Sequence, residues 1–209
     1  MIDTLWPLGV AAVWNSIIAV SLVRWRCPGR AGARVGGNVT PAPIIVTALL
    51  GAADQAFADK LRRAHYPAAR NHVPAHLTLF HQLPPASGPE LATRLRAAVA
   101  GRAPPRARIA GVMRLEAGVA LSVHSPDLAA IRDELADGLA GLLGAQDRAG
   151  WQPHITIQNG VPAREAKALF AALSAEVTAR PLHIAGLASW AWRGGPWEAI
   201  GSTRFNGRG

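Results

Sequence analysis

The chain has 209 residues, half of them hydrophobic and 17% charged, which is enough for one domain with a sizeable core and excludes a disordered or fibrous protein. Lysine and arginine total 22 against 13 acidic residues, a net charge of +9 that suits an anionic partner such as RNA, a nucleotide or a membrane surface. The single cysteine, Cys27, excludes an internal disulfide.

The first element in chain order is an uncharged run from Thr4 to Val23, TLWPLGVAAVWNSIIAVSLV, followed by Arg24, Arg26, Arg30 and Arg34. Its length suffices to cross a bilayer, and the arginines would hold the following chain on the cytoplasmic side. Pro7, Gly9 and the pair Asn15-Ser16 weaken it as a spanning helix. An amphipathic flap is one reading of the segment, and two others stay open. Residues 4–23 either tether a cytoplasmic catalytic domain to the inner face of a membrane, or the start is placed too early and translation begins near Val39. In both, residues 1–40 are an apolar segment plus the Gly- and Arg-rich linker PGRAGARVGGN.

The folded part is read as residues 41–209. APIIVTALLG (42–51) is a short apolar, β-branched run and predicts a buried strand. ADQAFADKLRRAH predicts a helix, and HVPAHLTLFHQL a second strand. SGPELATRLRAAVAG predicts a helix opened by a capping box between Ser87 and Glu90. RARIAGVMRLEAG and GVALSVHS alternate around Gly118 and predict a hairpin. SPDLAAIRDELADGLAGLLG predicts a helix with Ser125 as N-cap, Pro126 at its first position and a stripe of Leu128, Ile131, Leu135, Leu139 and Leu142. WQPHITIQNG is a strand ended by Asn159-Gly160. A helix from Pro162 to Val177, a strand from Leu182 to Trp192 and a strand from Trp197 to Phe205 complete the chain.

In this order the pattern strand, helix, His-x-Thr strand, helix, strand occurs twice, and the third strand of each unit carries IAG, at 109–111 and 184–186. The expected fold is α+β and bilobal: two duplicated βαβαβ units with pseudo-twofold symmetry around a central cleft. The lobes are approximately 41–115 and 116–209, open to exchange of strands between them.

HLTLF (76–80) and HITIQ (154–158) share one frame, 78 positions apart. Side chains alternate along a strand, so His76, Thr78 and Phe80 are expected on one face with Leu77 and Leu79 on the other, and likewise His154 and Thr156 against Ile155 and Ile157. By the same parity His81 is expected to point away from the cleft. Two imidazoles around one site suit displacement at phosphorus: one removes a proton from the attacking oxygen and the other protonates the leaving oxygen. The hydroxyls of Thr78 and Thr156 are placed to donate to the non-bridging phosphate oxygens. A binding module that holds RNA or a nucleotide without turnover is the alternative.

The paired motifs resemble the HxT/HxS signature of the 2H phosphoesterase superfamily, and PAHLTLFHQLP is similar to its 2′-5′ RNA ligase-like branch, over residues 42–205. The resemblance implies chemistry on a 2′,3′-cyclic phosphate or a 2′-5′ linkage of RNA or a nucleotide, with His76 and His154 catalytic and Thr78 and Thr156 phosphate-binding. It implies no metal and no cofactor. The expected state is a monomer.

His65, His72, His81, His124 and His183 form no metal-ligand spacing. Trp190 and Trp192 share a strand face and are expected to pack in the core, with base stacking as the other use. Arg70, Arg193 and Arg204 read as solvated surface. No Walker loop, nucleophile elbow or dinucleotide fingerprint is present.

Overall fold

The computed structural model describes residues 42–208. The candidate span at 4–23, Cys27 and the linker lie outside the described residues. Among the described residues no helix is long and apolar enough to cross a membrane.

The elements are β1 (Ile44–Leu50), α1 (Ala52–His65), β2 (Leu77–Leu83), α2 (Gly88–Val99), β3 (Arg106–Leu115), β4 (Gly118–His124), α3 (Pro126–Gly138), α4 (Ala145–Arg148), β5 (His154–Gln158), α5 (Ala163–Glu176), β6 (Arg180–Ala191) and β7 (Glu198–Arg204). All expected helices and strands are present. The four-residue α4 has no counterpart in the periodicity, because one turn is too short to show any. At α3 the Ser125 hydroxyl accepts from the Leu128 amide at 3.1 Å, as its sequence predicts. The capping box at α2 does not form: the Ser87 hydroxyl donates to the Pro84 carbonyl at 2.6 Å and Glu90 pairs with Arg94. A tight turn over Pro85–Ser87 already occupies Ser87, so its oxygen turns back toward the preceding chain.

The strands run in the order β1-β2-β5-β4-β3-β6-β7, and a further pairing of β1 with β6 joins the two ends of the first six. Every pairing is antiparallel. The third strand of each sequence unit leaves its own unit: β3 pairs with β4, and β6 pairs with β1. The strands that end the two sequence units therefore each pair with strands of the other unit. The turn from β3 to β4 is too short to let them part, and β6, at 12 residues, is long enough to serve β1 and β7 over one stretch and β3 over another.

One core joins these elements. Leu77, Leu79, Leu121, Ile155, Ile157, Ile184 and Leu187 are completely buried, each contributing about 1.5–3 kcal/mol of burial free energy. Leu128, Ile131, Leu135 and Leu139 of the α3 stripe join them, and Leu142 is partly buried against the same cluster.

The alternation expected along β2 breaks after Leu79. Phe80, expected on the cleft face, is completely buried, and His81, expected to point away, lines the cleft. The register against β1 runs Thr47 with Thr78, Val46 with Phe80 and Ile44 with Leu83. Each step consumes an extra residue of β2, and a bulge of this kind reverses the parity of the residues beyond it.

Candidate active site

β2 and β5 lie side by side, with Leu77 opposite Ile155. Both are apolar and completely buried, which anchors the two strands on their core face. His76, Thr78, His154 and Thr156 fall on the other face and line one cavity of about 260 Å³. The structure therefore brings all four sequence-predicted residues together. His81 and Arg62 border the same space.

Both histidines are held in the same way. His76 Nδ1 lies 2.7 Å from the Pro74 carbonyl and His154 Nδ1 lies 2.8 Å from the Gln152 carbonyl, each two residues upstream. A carbonyl only accepts, so each Nδ1 carries the hydrogen and each Nε2 keeps its lone pair in the neutral ring. Trp197 packs against the His76 ring with centroids 4.5 Å apart and further restricts it.

Burial, the nearby Arg62 guanidinium and the neighbouring histidines push His76 down to about 4, against a weaker opposing pull from the Pro74 carbonyl. Burial also lowers His154, with His81 adding to the effect. Without an anion between them the two rings are neutral at neutral pH.

Arg62 was not singled out by its sequence, where it is one of two consecutive arginines in an amphipathic helix. It is buried. Its Nε donates to Asn71 Oδ1 at 2.9 Å and to the Val73 carbonyl at 3.2 Å, and its Nη1 donates to the Thr156 carbonyl at 2.8 Å. It also stacks 3.8 Å over the Tyr66 ring. One guanidinium thus ties α1 and the loop leading to His76 to the strand that carries Thr156.

Asp147 is a second residue with no local signal. It is buried within α4, and its carboxylate accepts from the His81 amide at 2.9 Å, the Gln82 amide at 3.2 Å and His81 Nδ1 at 3.0 Å. The Asp147 carbonyl in turn accepts from buried Arg132. These bonds hold the bulged end of β2 in place. The His81 contacts help keep the Asp147 carboxyl below its usual range despite an opposing burial effect.

Trp190 and Trp192 are half-buried and line cavities instead of filling the core as expected. Arg70 borders the cleft, yet its Nη2 donates to the carbonyls of Asn159 and Gly160, at 3.2 and 2.7 Å. Gly160 has φ +67°, a left-handed backbone conformation that favours glycine. Arg193 pairs with Glu198 at 3.0 Å, and Arg204 is exposed on β7. The described residues contain no group of three His, Cys, Asp or Glu side chains able to hold a metal ion.

An antiparallel sheet that presents two His-x-Thr strands to one cleft defines a class, and sequence comparison names it. The model of the 2′-5′ RNA ligase superfamily matches residues 51–196. The chain belongs to this family, a branch of the 2H phosphoesterases, and hence to a group of phosphoester-processing enzymes. Among solved structures it is similar to TT0787 of Thermus thermophilus, at 16% identity and TM-score 0.57, covering 80% of this chain and 100% of that one. It is also similar to Escherichia coli LigT complexed with 3′-AMP, at 18% identity and TM-score 0.53, covering 80% and 99%. LigT complexed with NADP+ gives 16% identity and TM-score 0.52, covering 79% and 99%. At these identities the likeness is one of fold. No curated protein sequence matches the chain.

Proposed function

We propose that the protein is a metal-independent phosphoesterase that opens a 2′,3′-cyclic phosphate, or acts on a 2′-5′ linkage, of RNA or a nucleotide, with His76 and His154 as its acid–base pair. The observation that carries this reading is that two imidazoles, each with Nδ1 tied to a backbone carbonyl and Nε2 left available, line one cleft together with two threonines. A module that only binds has no need of two such proton carriers. That LigT has been crystallised with 3′-AMP and with NADP+ agrees with a nucleotide partner.

A phosphodiester anion bound between the rings favours uptake of one proton, which the free site lacks. In hydrolysis the neutral imidazole takes a proton from water as its oxygen attacks phosphorus. The protonated imidazole delivers its proton to the departing ribose oxygen, leaving a phosphomonoester, and the Thr78 and Thr156 hydroxyls donate to the non-bridging oxygens. Arg62 lies near His76 and disfavours a second positive charge there. We therefore read His76 as the base and His154 as the acid.

We read the working unit as a monomer, since residues of one chain line the cleft. We read its two halves as a duplicated unit, supported by the repeated order of elements and the reciprocal exchange of β3 and β6. Residues 4–23 would tether this unit to the inner face of a membrane, which fractionation of cells expressing the full chain tests. The enzymatic reading is tested by phosphorus NMR of the purified chain with a panel of 2′,3′-cyclic phosphates and 2′-5′ linked dinucleotides. Appearance of a monoester resonance is expected. Binding of every substrate without turnover would leave only the binding module.

A further inference from the structure

A second cavity, of about 310 Å³, lies on the other side of His76 and Trp197, which border both spaces. Its size is at the lower end of the range for small-molecule sites, about 300–1,000 Å³. Trp190 and Trp197 form an angled wall, with ring centroids 6.3 Å apart and planes 43° apart. Trp190 Nε1 donates to Thr47 Oγ1 at 2.9 Å, which fixes the orientation of that indole. The wall thus offers rigid aromatic faces, and such faces hold nucleobases by stacking.

The polar groups of this cavity are few and already half committed. Asp59 Oδ1 accepts from the Ala75 amide at 2.7 Å, and among the described residues no hydrogen bond or ion pair engages Oδ2. Gln55, one turn earlier on the same face of α1, donates from its amide nitrogen to the Ala75 carbonyl at 2.8 Å, which leaves Oε1. Both residues line the cavity, so helix α1 presents two acceptors one turn apart. His72 also lines it, and its buried Nε2 has no hydrogen-bond partner among the described residues. A buried polar atom left unpaired costs stability and is explained when a ligand completes it.

We propose that this cavity is a base-reading subsite for guanine. Two acceptors beside one ring nitrogen able to donate complement the Watson–Crick edge of guanine, whose N1–H and N2 amine donate while O6 accepts. Uracil carries a single N–H between two carbonyl oxygens, sets one of those oxygens against an acceptor, and is disfavoured. Adenine and cytosine each offer one exocyclic amine and leave an acceptor unmet. The subsite rests on the nucleotide-directed reading of the cleft: a base against Trp197 leaves its phosphate on the His76 side.

The test is calorimetric binding of the four ribonucleoside 3′-monophosphates to the full chain, with KM for the four 2′,3′-cyclic monophosphates measured in parallel. Guanosine 3′-monophosphate should bind roughly tenfold tighter than the uridine compound, the equivalent of one well-made polar contact. Asp59→Asn keeps an oxygen for the Ala75 amide and replaces the free oxygen by a donor, so it should reduce the guanine preference to within about twofold. An unchanged thermal midpoint shows that the variant is folded. Trp197→Leu should weaken all four compounds together. Equal affinities in the parent protein, preference for any other base, or a preference that persists in Asp59→Asn overturns the proposal. If no cyclic phosphate is turned over, the phosphoesterase reading fails, and the calorimetric order of the monophosphates still decides the subsite.

Discussion

Leu77 and Ile155 face each other across the ladder between β2 and β5. Because the strands are antiparallel, this one pairing sets His76 level with Thr156 and Thr78 level with His154. Each histidine thus lies near a threonine of the other strand's motif, and on the proposed mechanism a phosphate seated between them would meet donors from both strands.

On the proposed mechanism the two histidines act as a unit. His76→Ala and His154→Ala are each expected to lower kcat by about a hundredfold or more, the usual loss for a positioned acid or base. The double variant should fall far short of the product of the two losses. Thr78→Ala and Thr156→Ala should cost less, each removing one donor of several. Steady-state kinetics on a 2′,3′-cyclic phosphate decides, and near-normal turnover by His154→Ala excludes the acid–base pair.

On the proposed mechanism activity should withstand an excess of EDTA, because side chains of the cleft would carry both proton transfers and supply the donors for the phosphate charge. Loss of turnover on chelation, restored by one particular divalent ion, would sink the mechanism.

The pH dependence is set by the shifted imidazoles. Productive free enzyme needs one ring neutral and the other protonated, and both rings lie below the ordinary histidine value. The optimum of kcat/KM is therefore expected on the acid side of 6.5, with an acid limb near 4. Arg62→Met removes the nearby cation and should shift that limb toward neutral pH. NMR titration of the His76 ring gives the same comparison without turnover, and an unmoved ring would show that burial alone sets its value.

The same shift affects stability. Below 6.5 the unfolded chain binds a proton at His76 while the folded chain does not until about pH 4. Stability should thus decline as pH falls from 6.5 to 4 and lose no more through this group below that. Thermal melts of the parent and of His76→Gln across this window measure the contribution; the variant should show a shallower decline.

Asp147→Ala removes a buried carboxylate and leaves the part-buried His81 and Gln82 amide bonds without their acceptor. Each such loss costs about 1–3 kcal/mol, so a clear drop in the unfolding midpoint is expected. Asp147→Asn keeps one oxygen for the amides and should recover part of it. A melt indistinguishable from the parent for Asp147→Ala would show that the bulged end of β2 does not depend on this anchor.

The features legible in the sequence are those that short stretches encode. Alternating Leu77, Leu79, Ile155 and Ile157 mark buried strand faces, Ser125-Pro126 opens α3, and the repeated His-x-Thr frame marks the candidate site, because each signal depends on neighbours a few positions away. The features that only the tertiary structure decided depend on partners distant in the chain. Pairing with β1 puts the bulge in β2 that sends Phe80 into the core and His81 to the cleft. Arg62 reaches Thr156 across 94 positions and Asp147 reaches His81 across 66. Packing of α1 beside β5 and of α4 beside β2 creates those contacts, and neither Arg62 nor Asp147 carries a local pattern that would announce them. The His76–Trp197 contact likewise exists only once β6 has crossed to β1 and carried the following turn to the mouth of the cleft.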